Sequence, residues 1–289
     1  EGWGVEKDYD EAMKWYRKAA DQGLAVAQHN IGVMYWDGEG VRKDYYEAVR
    51  WLRKAANQGI ADAQNGMGLA YNNGWGVEKD YDEAMRWYRK AAVQGLAIAQ
   101  QNIGAMYWDG EGVRRDYYEA VRWLRKAANQ GVADAQNLMG RAYNNGWGVE
   151  KDYDEAMRWY RKAADQGLAV AQNNIGIMYW DGEGVRKDYY EAVRWLRKAA
   201  NQGMADAQNL MGRAYDEGWG VEKDYDEAMK WYRKAADQGL AIAQHNIGIM
   251  YWEGNGVQQN RYEALRWLRK AVDNGCEDAK NTLKSFGYD

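Results

Sequence analysis

Tryptophan, amide and carboxylate side chains recur at fixed steps in this chain, and their combined chemistry is that of binding rather than reaction. Trp36, Trp108, Trp180 and Trp252 stand 72 residues apart, followed by Asp37, Asp109, Asp181 and Glu253. A second position is held by His29, Asn65, Gln101, Asn137, Asn173, Asn209 and His245. A third runs Val33, Leu69, Ala105, Arg141, Ile177, Arg213 and Ile249, and a fourth alternates Val26 with Asp62, Asp134 and Asp206. From Val26 the steps to 29, 33, 36 and 37 place all of them on one stripe of a helix. Indole faces beside carboxylates suit the Lys or Arg of an extended peptide, through cation–π contact and charge complementarity. The same Asn, Asp and Trp would also suit a glycan. These positions differ most among otherwise near-identical copies, which fits either a ligand-facing surface or drift at exposed sites. Two plainer readings stand beside this. Asp62 and its equivalents fall in a first helical turn, where an acid complements the dipole, and the tryptophans could pack between repeats.

Residues for covalent, metal or phosphate chemistry lack a workable arrangement. His29 and His245 are equivalent positions six repeats apart, roughly 50 Å at ordinary helix spacing, too far to share a zinc ion. Asp37-x-Glu39 with Asp44 does not follow a calcium-loop spacing. The lone cysteine, Cys276, has no histidine near it in sequence and can form no intrachain disulfide. Gly38-x-Gly40 joins helices instead of opening a helix after a strand, so it is no phosphate cradle. An arginine ladder (Arg17, Arg53, Arg89 and onwards) could meet a polyanion, but Asp10 and Lys14 offer i,i+4 pairing and a solvated outer face is the simpler reading. Net charge is −4, which argues against nucleic acid. No apolar run approaches the roughly 20 residues of a membrane span. The expectation is a non-enzymatic chain with no cofactor or metal, a protein or extended-peptide partner that is basic or repetitive, and no membrane insertion.

The elements that carry these residues follow from a valine at 5, 41, 77, 113, 149, 185, 221 and 257, a constant 36-residue step. Such a period signals a solenoid, whose repeats each bury themselves only against neighbours. Within one repeat, Tyr9, Ala12, Tyr16 and Ala19 mark one face of a first helix, with Trp15 adding bulk. Gly23 suits the left-handed turn that ends it. Ala27, Ile31 and Tyr35 mark a second helix. Gly32 and its copies recur mid-helix at a cost of about 1 kcal/mol each, which predicts a bulky Trp or Tyr crossing there. Proline is absent, so glycine makes the turns. The fold expected is all-α: one right-handed superhelical α/α solenoid over residues 1–289, with eight helix-turn-helix repeats alternating in 72-residue pairs.

The string Asp44-Tyr45-x-Glu47-Ala48-x-x-Trp51-x-Arg53-Lys54-Ala55-Ala56-x-Gln58-Gly59, followed by Ala63-Gln64-x-x-Met67-Gly68-x-x-Tyr71-x-x-Gly74-x-Gly76-Val77, resembles a Sel1-like repeat, a family similar to tetratricopeptide repeats. The resemblance covers nearly the whole chain. It implies a superhelix that binds proteins or peptides on a concave side lined by the second helices, and a bacterial, often exported protein. Cysteine-rich relatives linked to β-lactam binding carry a disulfide per repeat; the cysteines are missing here and that property does not transfer.

Odd repeats end Met34-Tyr35-Trp36-Asp37 and even repeats Ala70-Tyr71-Asn72-Asn73-Gly74-Trp75, which accounts for the 16 tryptophans together with one in each first helix. The copies reflect gene amplification or consensus engineering. Drift in residues 257–289 fits a C-terminal cap and favours a natural array. Residues 217–252 match 1–36 at all but Val26 and Val33, so the start reads as a cut from a longer array, with an open end able to stack on another copy. The function expected is a scaffold that binds along the second-helix stripe. Its alternatives are a carbohydrate- or peptidoglycan-binding module on that stripe and an engineered array without a natural ligand.

Overall fold

An aspartate opens nearly every first helix. Asp8 accepts from the Glu11 N–H, and Asp44 accepts from the Tyr46 and Glu47 N–H groups, at 2.9–3.1 Å; Asn260 does the same for the last one. Each of these caps satisfies amides left without an intrahelical partner. The first helices so started are α1 (Tyr9–Asp21), α3 (Tyr45–Asn57), α5 (Tyr81–Val93), α7 (Tyr117–Asn129), α9 (Tyr153–Asp165), α11 (Tyr189–Asn201), α13 (Tyr225–Asp237) and α15 (Arg261–Asp273). A three-residue turn through a left-handed glycine, Gly23 at φ +87° in the first repeat, returns the chain. The second helices are α2 (Ala25–Asp37), α4 (Ala61–Asn73), α6 (Ala97–Asp109), α8 (Ala133–Asn145), α10 (Ala169–Asp181), α12 (Ala205–Glu217), α14 (Ala241–Glu253) and α16 (Glu277–Ser285). Their N-terminal residues, such as Leu24, give no side-chain cap, and all but α16 end on a left-handed glycine. This computed structural model describes residues 8–288, and among them all regular structure is helical. Trp3 and Val5, the first members of their series, lie outside the described residues.

The chain divides into two compact units, residues 1–151 and 152–289, each holding four helix pairs. Within each unit a second helix packs more extensively on the first helix of the following repeat than on its own partner. The mid-helix glycines explain why. A Cβ on Gly32 would stand 2.7 Å from Leu52 Cγ, and one on Gly68 would stand 2.4 Å from the ring of Tyr88. The expected Trp or Tyr is therefore correct only after even repeats, where Tyr88 and Tyr232 cross; after odd repeats the crossing residue is leucine, at Leu52, Leu124, Leu196 and Leu268. The first-helix tryptophans lie elsewhere: Trp51 packs on the α1–α2 core and Trp87 on the α3–α4 core.

Buried amides stitch successive repeats. Gln28 donates to the Ala20 carbonyl at 3.3 Å and accepts from Gln58 at 2.8 Å. Gln94 to Gln64 and Gln130 to Gln100 repeat this in the first unit, and Gln202 to Gln172, Gln238 to Gln208 and Asn274 to Gln244 in the second. The outer face differs from expectation in two ways. Its ion pairs run i,i+3 from Glu, as in Glu11–Lys14 and Glu47–Arg50, and not i,i+4 from Asp10. Its arginines are tethered: Arg17 donates to the Tyr35 hydroxyl at 3.0 Å, and six further copies repeat the bond.

Candidate functional site

Three aromatic clusters form where an odd second helix ends beside the loop of the following even repeat. In the first, Trp36 ends α2, Tyr45 starts α3 and Trp75 follows α4. Trp36 meets Tyr45 at 5.2 Å and Trp75 at 5.4 Å, both edge to face, while Tyr45 and Trp75 stack at 5.4 Å and 10°. Gly76 makes this possible. A Cβ there would lie 2.2 Å from the Tyr45 carbonyl oxygen, so only glycine lets the loop rest on the first turn of α3. Trp108, Tyr117 and Trp147 repeat the arrangement, as do Trp180, Tyr189 and Trp219. At the last repeat the partners change: Phe286 stacks on Trp252 at 3.7 Å and Tyr288 meets it edge-on.

Two of these clusters hold a cation of their own. The Arg141 guanidinium lies 5.5 Å from Trp108 and 5.8 Å from Trp147, and Arg213 lies 5.7 Å from Trp180 and 5.6 Å from Trp219. Trp108 and Trp180 are accordingly only 6% exposed. Of the two readings of these tryptophans, platforms on the stripe or packing between repeats, the covering arginine and second indole accord with packing.

The stripe's amides are also more enclosed than the helical period suggests. Asn65, Asn137, Asn173 and Asn209 are buried and Gln101 is half-buried. Asn102 donates to Asn65, and Asn246 to Asn209, each at 3.0 Å across successive second helices. His245 contacts Thr282 Oγ1 at 3.0 Å, and burial lowers the pKa of its imidazole. The reason is proximity: second helices of neighbouring repeats come close enough for short polar side chains to bridge them. Asp37, Asp109 and Asp181 stay exposed at the helix ends, as do Asp62, Asp134 and Asp206 in the first turns, while Trp36 and Trp252 are half-buried. One acid departs from this pattern. Asp216, where Asn72 and Asn144 stand in other even repeats, accepts from the Tyr232 hydroxyl at 3.2 Å, and burial pushes its carboxyl above the usual range.

Sequence reasoning missed the tyrosines that join each tryptophan pair and the glutamine relay. Both had a signal in the recurrence of Tyr45, Gln58 and Gln64 in every copy but the last, where Arg261, Asn274 and Lys280 stand. Among the described residues no group of three or more His, Cys, Asp or Glu side chains could hold a metal ion. Among them, too, no helix is long and apolar enough to cross a membrane.

Helix pairs that pack in series, stitched by amides and carrying no cluster for a metal among the described residues, define a repeat protein of the α-solenoid class. The Sel1 repeat model matches residues 1–24, 25–60, 61–96, 97–132, 133–168, 169–204, 205–240 and 241–276, and the chain belongs to that family. Each full match takes in a second helix and the next first helix, and within each unit these are the more extensively packed pairs. Among solved structures the chain is similar to c5321, a protective antigen of uropathogenic Escherichia coli displaying an SLR fold, at 39% identity and a TM-score of 0.85. That match covers 94% of this chain and 58% of the other, so this chain spans less than two thirds of the antigen's length. It is also similar to a Sel1 repeat protein from Oxalobacter formigenes, at 38% identity and a TM-score of 0.76, over 98% of this chain and 83% of that one. No curated protein matches the sequence.

Proposed function

We propose that this chain is a non-catalytic protein-binding scaffold that takes an extended, basic segment of a partner along the face of its second helices. The observation that carries the reading is the asparagine bridge between successive second helices, Asn102 to Asn65 and Asn246 to Asn209. Second helices close enough for such bonds offer one ligand contacts on more than one repeat. Exposed acids recur there in both repeat types, Asp37 and Asp109 at helix ends and Asp62 and Asp134 in first turns, and they complement positive charge. Open apolar side chains, Ile98 and Val170 among them, add contact area.

The test uses the full chain as bait beside a variant carrying Asp62→Lys, Asp134→Lys and Asp206→Lys. The reading expects a partner that the parent holds and the variant releases, with affinity falling as salt rises. Retention of the same partner by the variant, or binding indifferent to salt as for a neutral glycan, would overturn it.

A further inference from the structure

The three Trp–Tyr–Trp clusters share one geometry but not one content. Their tryptophan pairs stand 5.4, 5.5 and 5.4 Å apart at 77°, 71° and 67°. In the second and third, a guanidinium lies within 6 Å of both rings, supplied by Arg141 and Arg213 from one place in the even second helix. In the first, that place is Leu69, which packs against the α5–α6 core. No cation among the described residues lies over Trp36 or Trp75. Lys43 sits over the neighbouring Tyr45, as Arg115 and Lys187 do over Tyr117 and Tyr189 in the filled clusters, so it does not substitute for the missing arginine. The rings are correspondingly open: Trp75 is 37% exposed and Trp36 half-buried, where Trp108 and Trp180 are 6% exposed.

We infer that the Trp36–Trp75 pair is an arginine-binding cage, built like its two neighbours and left for a guanidinium from a partner protein. Three features favour that occupant. The ring faces carry the negative side of the aromatic quadrupole. Trp36 lies in the last turn of α2 and Trp75 directly after α4, so both rings stand where helix dipoles favour a cation. Asp37, exposed and next to Trp36 in sequence, adds negative charge to that end of α2. The protein's own Arg141 and Arg213 show that the ring spacing accepts this group.

The inference rests on the scaffold reading for its biological partner, but the cage can be tested by itself. The probe is N-acetyl-arginine methylamide, titrated into the full chain and followed by the indole N–H resonances of Trp36 and Trp75. The citrulline counterpart, of the same shape without the charge, is the control. Leu69→Arg is the blocking variant, and Arg141 and Arg213 show that the fold carries arginine there. The parent is expected to bind the arginine probe at least about fivefold more tightly than the citrulline one. Leu69→Arg should abolish the shifts with the helical spectrum unchanged, and Arg141→Leu should create a second set at Trp108 and Trp147. Equal binding of the citrulline probe, or unchanged binding by Leu69→Arg, overturns the cage. A captured partner that depends on Asp62, Asp134 and Asp206 but is indifferent to Leu69→Arg also removes the cage while leaving the scaffold reading in place. Probe binding that Leu69→Arg blocks, with no partner held by the second-helix face, has the opposite meaning.

Discussion

Replacing Gly68 by alanine should weaken the chain even though alanine is the better helix former. In an exposed helix the change would stabilise by about 1 kcal/mol. Here the new Cβ would stand 2.4 Å from Cδ1 and Cε1 of Tyr88 and 3.0 Å from its Cγ. Ordinary carbon contacts are about 3.5–4.0 Å, so the ring must retreat by roughly 1 Å. It has little space to do so, being 2% exposed within the α5–α6 core. Overpacking of this kind costs about 1–3 kcal/mol. The balance is a loss of up to about 2 kcal/mol, concentrated where α4 meets α5. Gly66 on the same helix is the internal control. Its Cβ would meet only the Leu52 side chain, with Cδ1 at 3.1 Å and the other two atoms at 3.7 and 4.0 Å, and the larger side chains of Leu138 and Leu210 occupy that place in other copies. Gly66→Ala should therefore gain about 0.5–1 kcal/mol. Because a repeat array can unfold in pieces, amide hydrogen exchange in α4 and α5 should accompany urea unfolding followed by circular dichroism. Gly68→Ala matching or exceeding Gly66→Ala in midpoint and in α4–α5 protection would refute the packing account of the recurrent glycine.

Two further outcomes follow from the buried polar groups. Gln64→Leu removes the acceptor of Gln94 and the donor to the Ala56 carbonyl; it should cost about 1–3 kcal/mol, read as a lower urea midpoint, whereas exposed Gln94→Ala should cost less. Asp216→Asn should stabilise the chain at neutral pH. Burial, the largest influence on Asp216, raises its folded-state pKa above the ordinary value near 3.8, against an opposing hydrogen bond from Tyr232. A raised acid favours the protonated fold, so the parent's stability is full below that ordinary value and falls as pH rises through the shifted one. The gap between variant and parent should thus open with rising pH and close on acidification below about pH 4; thermal melts across that range check it, and a gap independent of pH would contradict the burial argument.

Much of the architecture was legible in the residues. The 36-residue valine step, the paired helical faces and the glycine turns are local properties, repeated until periodicity left one consistent arrangement. The alternation at 72 residues was equally plain, because Trp36 and Asn72 cannot occupy equivalent surroundings. The stripe that carries the candidate site could also be drawn from helical geometry alone.

What each stripe residue touches was decided by tertiary packing. A helical wheel assigns a direction, but not the distance to the next helix, and that distance turned Asn65 and Asn209 from open side chains into bridges. Likewise the sequence left Trp108 and Trp180 as either ligand platforms or packing residues, and only the fold brought Arg141 and Arg213 over their rings. Those contacts join residues about 33 positions apart, beyond the reach of any local pattern. The same separation left Leu69 an unremarkable substitution until its neighbours were in place. Sequence periodicity determines which face a side chain joins, because the backbone geometry is local; the occupant of the space opposite is set by the approach of separate helices, and that is a property of the folded chain.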